Sequence, residues 1–400
     1  MTEKPAIEGG NPVRDEFLVY GRPSMGEEEV MEVADTIRSG WLGLGPRTSE
    51  FENRFADYLG VKHAVGLNSC TAGLFLSLKI LGLRPGEEVI TSPMTFASTA
   101  NVIEHHGGRP VFVDIDRKTL NMDPARLEGA IGDRTRGIVT VHMAGRSCEM
   151  DSILEIAERR GLFVVNDSAH AIETRYKNSS IGSLGDMSSF SFYATKTLAI
   201  GEGGMLTTST DEWAERVRIL RLHGISSDAW KRYALDAEPR YETIEPGYKL
   251  NMWDLQAAIG IHQLKRLESN LARRKELFIR YDSALRELDQ VIVLDTRDDD
   301  ETRHSRCIYI LLLRPEALRI DRDGFISALK AENIGTGIHF RALHTHKYYR
   351  GKYGYAPGDF PEADFVSGRT LSLPLSAALT DEDSNHVMEA VRKIARYYAR

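Results

Sequence analysis

The chain has 400 residues, of which 42% are hydrophobic and 27% are charged, and its formal net charge at pH 7 is −7. These values are typical of a folded globular protein. Single cores rarely grow beyond about 250–300 residues, so we expect one large domain and a smaller one. The 51 basic residues form no stripe that would bind a phosphate backbone, which argues against nucleic acid as a partner.

The cysteines and the apolar runs indicate the compartment. Cys70, Cys148 and Cys307 are odd in number and far apart, which predicts neither a disulfide framework nor a thiolate zinc site. The first residues, MTEKPAIEGGNP, contain no apolar signal region. No later run approaches the roughly 18 apolar residues of a spanning helix. We therefore expect a cytoplasmic protein without a membrane partner.

The predicted elements change character along the chain. Two helices are predicted at 27–39 and 49–59, both at the periphery. From residue 61 to 167, short apolar runs alternate with helical segments, which indicates βαβ units and a parallel sheet. The runs DMSSFSFYA and GGMLTTS are too close together for a crossover helix, so one must be antiparallel. One long helix is predicted over 253–288, and a small α+β domain over roughly the last quarter.

Polar and aromatic residues follow four of these strands, at the edge where open α/β sheets bind ligands. NSCTAG at 68–73 opens a helix and would present backbone amides to a phosphate. Phe96 could stack on a flat ring. Asp167 ends an apolar strand, where a carboxylate needs a partner, and His170 and Lys196 complete the set. Each also has an ordinary explanation: a helix cap, a core position or, for the lysine, solvent exposure.

Taken together, the four places favour a site for pyridoxal 5′-phosphate. The amine of Lys196 would bind the cofactor covalently, because burial lowers the pKa of an amine and keeps it nucleophilic. Asp167 would hold the pyridine nitrogen protonated, so that the ring withdraws electrons from the substrate. Ser191 would join Ser69 and Cys70 around the phosphate. The glycines of GEGG at 201–204 would let the backbone pass close to the cofactor.

At these residues the chain resembles a known family, the DegT-type sugar-nucleotide aminotransferases, which are fold-type I enzymes related to aspartate aminotransferase. Within the family it looks most similar to bacterial enzymes that aminate a UDP-linked 4-keto-pentose for lipid A modification, chiefly through GYKLN and IHFRALHTHKYYR. The resemblance runs nearly end to end, through the blocks SGWLGLGP, NSCTAGL, ITSPMTFASTAN, PVFVDID, VHMAG, NDSAHAIET, SFSFYATKTLAIGEGGML, PGYKLNMWDLQAAIG and GTGIHFRALHTHKYYR.

The resemblance implies an α/β fold. Residues 1–255 would form a large domain that binds the cofactor, with N-terminal helices and a mixed, mostly parallel seven-stranded sheet between helices. Residues 256–400 would form a linking helix and a small C-terminal α+β domain. A homodimer with shared active sites is also implied.

The resemblance also implies roles for the cofactor site. Lys196 corresponds to the catalytic lysine, Asp167 to the partner of the pyridinium, and Phe96 to the stacking ring. His170 would lie near the phenolic oxygen of the cofactor. The phosphate would be held by Ser69, Cys70 and Ser191, and by Lys249 and Asn251 of the GYKLN block from the partner subunit.

For the substrate, the resemblance points to two segments. Trp41, Gly43 and Leu44 belong to an early loop, in which many relatives have two threonines where this chain has Gly43 and Leu44. Two hydroxyls near the sugar are therefore absent. The second segment is predicted to meet the nucleotide sugar through His339, His344 and Tyr348. A metal site at His339, His344 and His346 is less favoured, because no carboxylate or cysteine completes it in sequence.

The predicted function is transamination from glutamate to a nucleotide-linked keto-sugar, at the 4-keto position, for polysaccharide, lipopolysaccharide or lipid A biosynthesis. Pyridoxamine phosphate would form between the two half-reactions, and 2-oxoglutarate would be released. One alternative is a keto-sugar dehydratase, which in this family has histidine in place of Lys196. A regulator that binds the cofactor without turnover would be expected to carry a DNA-reading motif. A nicotinamide enzyme would need GxGxxG where NSCTAG stands.

Overall fold

The fold is given by a computed structural model that describes residues 3–225, 241–296, 298–299 and 301–400. Its first part alternates helices and strands as the sequence predicts. The elements up to residue 220 are α1 Glu27–Ser39, α2 Pro46–Leu59, β1 His63–Leu67, α3 Cys70–Ile80, β2 Glu88–Thr91, α4 Ala97–His105, β3 Arg109–Phe112, α5 Pro124–Ala130, β4 Thr135–Val141, α6 Met150–Arg160, β5 Phe163–Asp167, β6 Arg175–Tyr176, β7 Ser179–Ser180, β8 Met187–Ser191, β9 Gly204–Thr208 and α7 Asp211–Leu220.

Seven of these strands form one sheet, in the order β1-β9-β8-β5-β4-β2-β3. The pairs of β2 with β3, β2 with β4, β4 with β5 and β5 with β8 are parallel, whereas β9 is antiparallel to both β1 and β8. The predicted fold class and the predicted antiparallel strand are therefore confirmed. Because β9 is reversed, its beginning lies at the same sheet edge as the ends of β1, β5 and β8.

Helix α2 packs its aromatic face against the large sheet. Its side chains Phe51 and Phe55 are completely buried and pack with Phe190 and Phe192 at the end of β8. Asn53, Arg54 and Asp57 on the other face are exposed, so α2 is the one-sided helix that the sequence predicts, and its two phenylalanines complete an aromatic cluster under the large sheet. That cluster supports the segment that carries Lys196.

The second part of the chain forms a three-stranded antiparallel sheet, in the order β10-β11-β12, with its own helices. Tyr309, Leu311 and Leu371 of this sheet are buried in a separate apolar cluster. The elements are α8 Asp254–Lys265, α9 Leu267–Leu285, β10 Val291–Val293, β11 Tyr309–Leu313, α10 Arg322–Ala331, α11 Lys347–Tyr353, α12 Pro361–Ser367, β12 Thr370–Leu373 and α13 Asp381–Tyr397.

The single helix predicted over 253–288 is in fact two helices, separated at Arg266, whose φ of −99° and ψ of 0° interrupt the helix. The guanidinium of Arg266 pairs with Glu29 of α1. Since the leucine spacing continues through this point, the sequence pattern alone could not reveal the break. Helix α8 packs against α1 and α2, and α9 packs against α13.

Helix α1 exposes part of the apolar face that its sequence predicts. Val30 is 59% exposed and Ile37 is 56% exposed, and Met25, Met31, Leu42 and Trp253 are exposed as well. Isolated apolar residues on a surface are ordinary, whereas these lie on α1, beside its ends and next to α8, which packs against α1. Within the part of the chain that the structure describes, no helix has both the length and the apolar character that a bilayer crossing requires.

Candidate active site

A cavity of about 590 Å³ opens at the sheet edge where β1, β5 and β8 end and β9 begins. The walls come from four loops of the large sheet and from the segment 338–340, which lies next to β12. Eight of the residues singled out in the sequence line it together: Ser69, Cys70, Phe96, Asp167, His170, Ser191, Lys196 and His339.

Asp167 closes β5 and is buried at the floor of the cavity. Its carboxylate accepts hydrogen bonds from the hydroxyl of Thr99 at 2.7 Å and from the backbone amide of Ala169 at 3.2 Å. Burial raises the pKa of this carboxyl, and these hydrogen bonds and the charge of Lys196 oppose the rise. Asp167 forms no salt bridge with any described side chain, so the charge of Lys196 acts on it without direct contact.

The N-terminus of α3 forms another part of the cavity wall, where the thiol of Cys70 lies 3.9 Å from the Asp167 carboxylate. Ser69 caps the helix by accepting from the amide of Ala72 at 3.1 Å, and Cys70 begins it. Gly204 of β9 approaches so closely that a Cβ there would lie 2.4 Å from the carbonyl carbon of Ser69. Ser191 lines the same cavity. Backbone amides at a helix N-terminus bind phosphate well.

The loop that carries Lys196 is anchored at both ends. The amide of Phe192 donates to Gly203 at 2.9 Å, and that of Ile200 donates to Phe192 at 2.9 Å. The amide of Lys196 itself donates to Tyr193 at 2.9 Å. The Lys196 side chain is half-buried, and its Nζ makes no hydrogen bond or salt bridge within the described residues. The amine is therefore available to react.

Two histidines and a phenylalanine form the wall opposite the lysine. His170 stacks on Phe340 with the ring centroids 6.1 Å apart, and His339 donates to or accepts from Ser372 at 2.9 Å. Burial lowers the pKa of His170 well below its usual range and that of His339 to about 4, and the charge of Lys196 lowers both further. Both imidazoles are therefore neutral at physiological pH.

Several further residues line the cavity although the sequence analysis does not single them out. Their only signal in the sequence was adjacency, because most of them lie within a few residues of a predicted site residue. Phe96, which the sequence does predict, also lines the cavity. It is 64% exposed, and its ring centroid lies 6.3 Å from that of Phe340. The additional lining residues include Thr95, Ser98, Val141, Ala169, Tyr193, Thr195, Glu202, Ile338 and Phe340.

The early loop does not line this cavity. Trp41 donates from its indole nitrogen to the carbonyl of Leu44 at 3.1 Å, and the carbonyl of Gly43 accepts from Asp254 at 2.8 Å. Lys249 and Asn251 lie outside the cavity lining as well, on the strand-like segment that bridges to Leu222 and Leu67. The amide nitrogen of Asn251 donates to Met252 at 2.9 Å.

His344 and Tyr348 are also absent from the cavity lining. His344 is buried and pairs with Asp364 at 2.8 Å, beside the ring of Phe360. Its ring is enclosed in the interior of the C-terminal part, so it does not line the described cavity of its own chain. Tyr348 is exposed on α11, packed on Tyr349. No three metal-binding side chains converge among the described residues.

These residues fit pyridoxal phosphate. The buried carboxyl of Asp167 lacks a cation in direct contact, which a protonated pyridine nitrogen would supply. The amine of Lys196 has no partner among the described residues, the exposed ring of Phe96 faces the space between them, and α3 offers its N-terminal amides. Each of these four features would bind a different part of one cofactor: the pyridine nitrogen, the aldehyde, the ring face and the phosphate.

Comparison with known proteins decides the family. The sequence profile of the DegT/DnrJ/EryC1/StrS aminotransferase family matches residues 23–392. The chain belongs to this family. The predictions of fold, of a sugar aminotransferase and of pyridoxal phosphate as cofactor are confirmed at this level.

Relatives within the DegT/DnrJ/EryC1/StrS family cover almost the whole chain. The spore coat polysaccharide biosynthesis protein SpsC of Bacillus subtilis is 51% identical over 96% of this chain and 98% of its own. The putative sugar aminotransferase Spr1654 of Streptococcus pneumoniae, in its PMP form, is 33% identical with a TM-score of 0.88 over 95% of this chain and 98% of its own. DesI with its TDP-sugar product is 32% identical with a TM-score of 0.85, over 97% of this chain and 95% of its own.

Proposed function

We propose that the protein transfers the amino group of glutamate to the 4-keto group of a nucleotide-linked sugar. The observation that carries this proposal is the position of Lys196 and Asp167 in one cavity of about 590 Å³. Pockets of this order hold drug-sized ligands, so the space suits the cofactor with the reacting end of a sugar. The nucleotide would lie farther out, where its affinity positions the sugar without entering the chemistry.

The cofactor would be held by residues from three parts of the sheet edge. Lys196 would bind it covalently, Asp167 would face the pyridine nitrogen, and Phe96 would stack on the ring. The N-terminus of α3 with Ser69, together with Ser191, would bind the phosphate. When bound, pyridoxal phosphate supplies an electron sink that stabilises negative charge at the carbon that carries the amino group.

The protein's own acid–base chemistry would be carried by Lys196. Lys196 is the only residue of the described cavity lining with a flexible basic side chain, and its amine would act once it is released from the cofactor. It would move the proton between substrate and cofactor in both half-reactions. The neutral rings of His170 and His339 place no extra positive charge beside this amine. The retained lysine also argues against the dehydratase alternative.

We further propose a homodimer with shared active sites. The apolar residues exposed on α1 and nearby, Val30 and Ile37 among them, offer a surface for a second copy. The loop of Trp41, Gly43 and Leu44 and the segment of Lys249 and Asn251 do not line the cavity of their own chain. In a dimer, both segments would complete the cavity of the partner.

The pathway is proposed from the relatives. SpsC is named for polysaccharide biosynthesis and DesI was solved with a TDP-sugar product. We propose that this protein also makes an amino sugar for a surface polysaccharide, lipopolysaccharide or lipid A. All three cysteines are free and buried, in keeping with a cytoplasmic reaction.

A substrate panel tests the proposed function. The purified holoenzyme is incubated with glutamate and with UDP-, dTDP- or GDP-linked sugars that carry the keto group at C4 or at C3, and the product mass is followed. We expect one or two of these sugars to gain an amino group while 2-oxoglutarate accumulates. Alanine in place of glutamate is the matched donor control. Turnover of 3-keto-sugars alone, or of none of the panel, would contradict the proposal.

A further inference from the structure

A buried ion pair lies directly behind the active-site lysine. Glu173 belongs to the turn that follows β5, and Arg274 belongs to α9. The side chains of Glu173 and Arg274 are 0% and 3% exposed, and they are in salt-bridge contact. Such a pair is poor evidence for stability, because desolvation offsets much of the attraction between the charges. Its position therefore calls for another explanation.

The pair contacts the loop that carries the lysine. Thr197, the residue after Lys196, donates a hydrogen bond from its hydroxyl to Glu173 at 3.1 Å. Lys196, Thr197, Asn270 and Arg274 line a second, small cavity, which shares Thr195 and Lys196 with the cavity that Asp167 lines. Glu173 thus restrains the backbone next to the reactive amine from behind.

The same pair contacts the turn that carries His170. Arg274 donates to the backbone carbonyl of Ser305 at 3.1 Å, and the hydroxyl of Ser305 donates to the carbonyl of His170 at 2.5 Å. Gly145 lies against this contact with a φ of +91°, and a Cβ there would lie 1.8 Å from the Ser305 hydroxyl. The ion pair therefore connects the lysine loop to the histidine turn, through the half-buried Thr197 on one side and the buried Ser305 on the other.

The Glu173–Arg274 pair also affects the electrostatics around Lys196. Arg274 and Lys196 line the same small cavity, and both charges act on the buried thiol of Cys307, as does the carboxylate of Glu173. Without Glu173, two uncompensated cations would share that space. Glu173 therefore both anchors the loop and offsets the charge of the guanidinium behind the amine.

We propose that Glu173 and Arg274 are positioning residues, which hold Lys196 and His170 in register across the active site. Neither side chain lines the main cavity, so both act through Thr197 and Ser305. The inference rests on the role given to Lys196 under the proposed function. It does not depend on which sugar or amino donor is used.

The matched variants are Thr197→Val, which removes the hydroxyl at nearly constant shape, and Thr197→Ser, which retains it. Thr207→Val is the control, because Thr207 likewise donates to an acceptor, the carbonyl of Gly182 at 2.9 Å, but lies outside this network. Thr197→Ala also removes the hydroxyl but leaves a smaller side chain, and it replaces Thr197→Val in the experiment if that variant does not fold. Melting temperatures of all variants report the purely structural effect.

The readout is the rate at which apo-protein captures pyridoxal phosphate, followed by the absorbance of the lysine-linked cofactor and verified by borohydride fixation. We expect Thr197→Val and Thr197→Ala to capture it roughly ten-fold more slowly than wild type. Thr197→Ser should remain within about two-fold of wild type, as should Thr207→Val.

Equal capture rates for Thr197→Val and Thr207→Val would overturn the positioning role, and so would slow capture by Thr197→Ser. Because capture needs neither sugar nor glutamate, a protein that aminates none of the tested sugars still gives a result. Failure of the substrate panel is thereby distinguished from failure of this inference. If wild-type protein captured no cofactor, the assignment of Lys196 and this inference would both fall.

Discussion

The hydroxyl of Thr99 donates a hydrogen bond of 2.7 Å to Asp167, and so connects α4 to the end of β5 inside the active site. Thr99 in turn lies 2.7 Å from the hydroxyl of Thr95, which lines the cavity. The carboxylate is thus oriented by neutral groups from one side, while its other side faces the cavity. This arrangement leaves a buried negative charge directed at the place where a cation would bind.

Thr99→Val should weaken retention of the cofactor. The substitution removes one hydrogen bond to the carboxylate, which raises the pKa of Asp167 further and favours its neutral form. We expect the dissociation constant for pyridoxal phosphate to rise roughly ten-fold, measured by equilibrium dialysis. Thr91→Val is the control, because the Thr91 hydroxyl donates to the backbone of Val139 at 2.9 Å. Equal losses in both variants would contradict the role of Thr99.

Asp167 should also make the stability of the apo-protein depend on pH. Burial raises its folded-state pKa above the ordinary value of 3.8, so the folded apo-protein binds this proton more tightly than the unfolded chain. The contribution of Asp167 is most favourable below pH 3.8 and is lost as pH rises through the raised pKa. Above that pH, apo Asp167→Asn should be the more stable protein, by about 1–2 kcal/mol.

Urea unfolding of apo wild type and apo Asp167→Asn between about pH 4.5 and pH 7.5 measures the difference. We expect wild type to lose stability relative to the variant as pH rises. Added cofactor should stabilise wild type more than Asp167→Asn, since only the carboxylate can pair with a pyridinium. A difference independent of pH would contradict the buried-acid explanation.

Lys196→Ala should abolish covalent attachment of the cofactor. No other amine lines the described cavity, so borohydride treatment should fix no pyridoxyl group to the variant. We expect kcat to fall by at least about a thousand-fold, because both the covalent bond and the proton carrier are lost. Peptide mapping of borohydride-treated wild type should place the label at position 196. A label elsewhere would refute the assignment.

Charged substitutions on α1 should separate the proposed dimer. Val30→Glu with Ile37→Glu places two carboxylates on the exposed apolar face, where a second copy would have to desolvate them. Sedimentation velocity should show a monomer that lacks most of the activity. Ile279→Glu, on the exposed side of α9, is the matched control and should remain dimeric. An active monomer would contradict shared active sites.

His339 and His344 should respond differently to substitution by asparagine. His339 lines the cavity, so His339→Asn should lower kcat/KM for the sugar by roughly ten-fold with little change in stability. His344 is buried against Asp364, so His344→Asn should lower the free energy of unfolding by about 1–3 kcal/mol and leave kcat/KM nearly unchanged. Kinetics and urea unfolding of both variants test this contrast.

The sequence predicts the core of the site well because parallel strands bring their carboxyl ends to one edge. Asp167 and Lys196 are far from Ser69 along the chain, yet each follows a strand of the same sheet. The break at Arg266 could not be predicted, because one residue with altered dihedral angles leaves the helical spacing intact on both sides. Helical spacing predicts the apolar face of α1, but it cannot indicate that Val30 and Ile37 stay exposed in a single chain.

The substrate-facing residues were harder to predict for a related reason. His339 and His344 are five positions apart and share a motif, but one lines the cavity and the other is enclosed beside Phe360. The direction of a side chain in irregular backbone depends on the tertiary packing around it. Glu202 and Tyr193 show the opposite case. Nothing in the sequence marks them as site residues, yet the fold places both in the cavity lining.

The reversed strand β9 has a consequence for motion during turnover. Because the lysine loop leaves β8 and enters the adjacent β9 at one edge, both of its ends are hydrogen-bonded to neighbouring strands. A segment tethered in this way has little freedom to travel. Among the residues that the structure describes, the segment 338–340 forms no ladder with the large sheet and lies beside β12 instead. Opening and closing of the cavity around successive substrates would therefore fall to this wall, while the reactive amine stays in place.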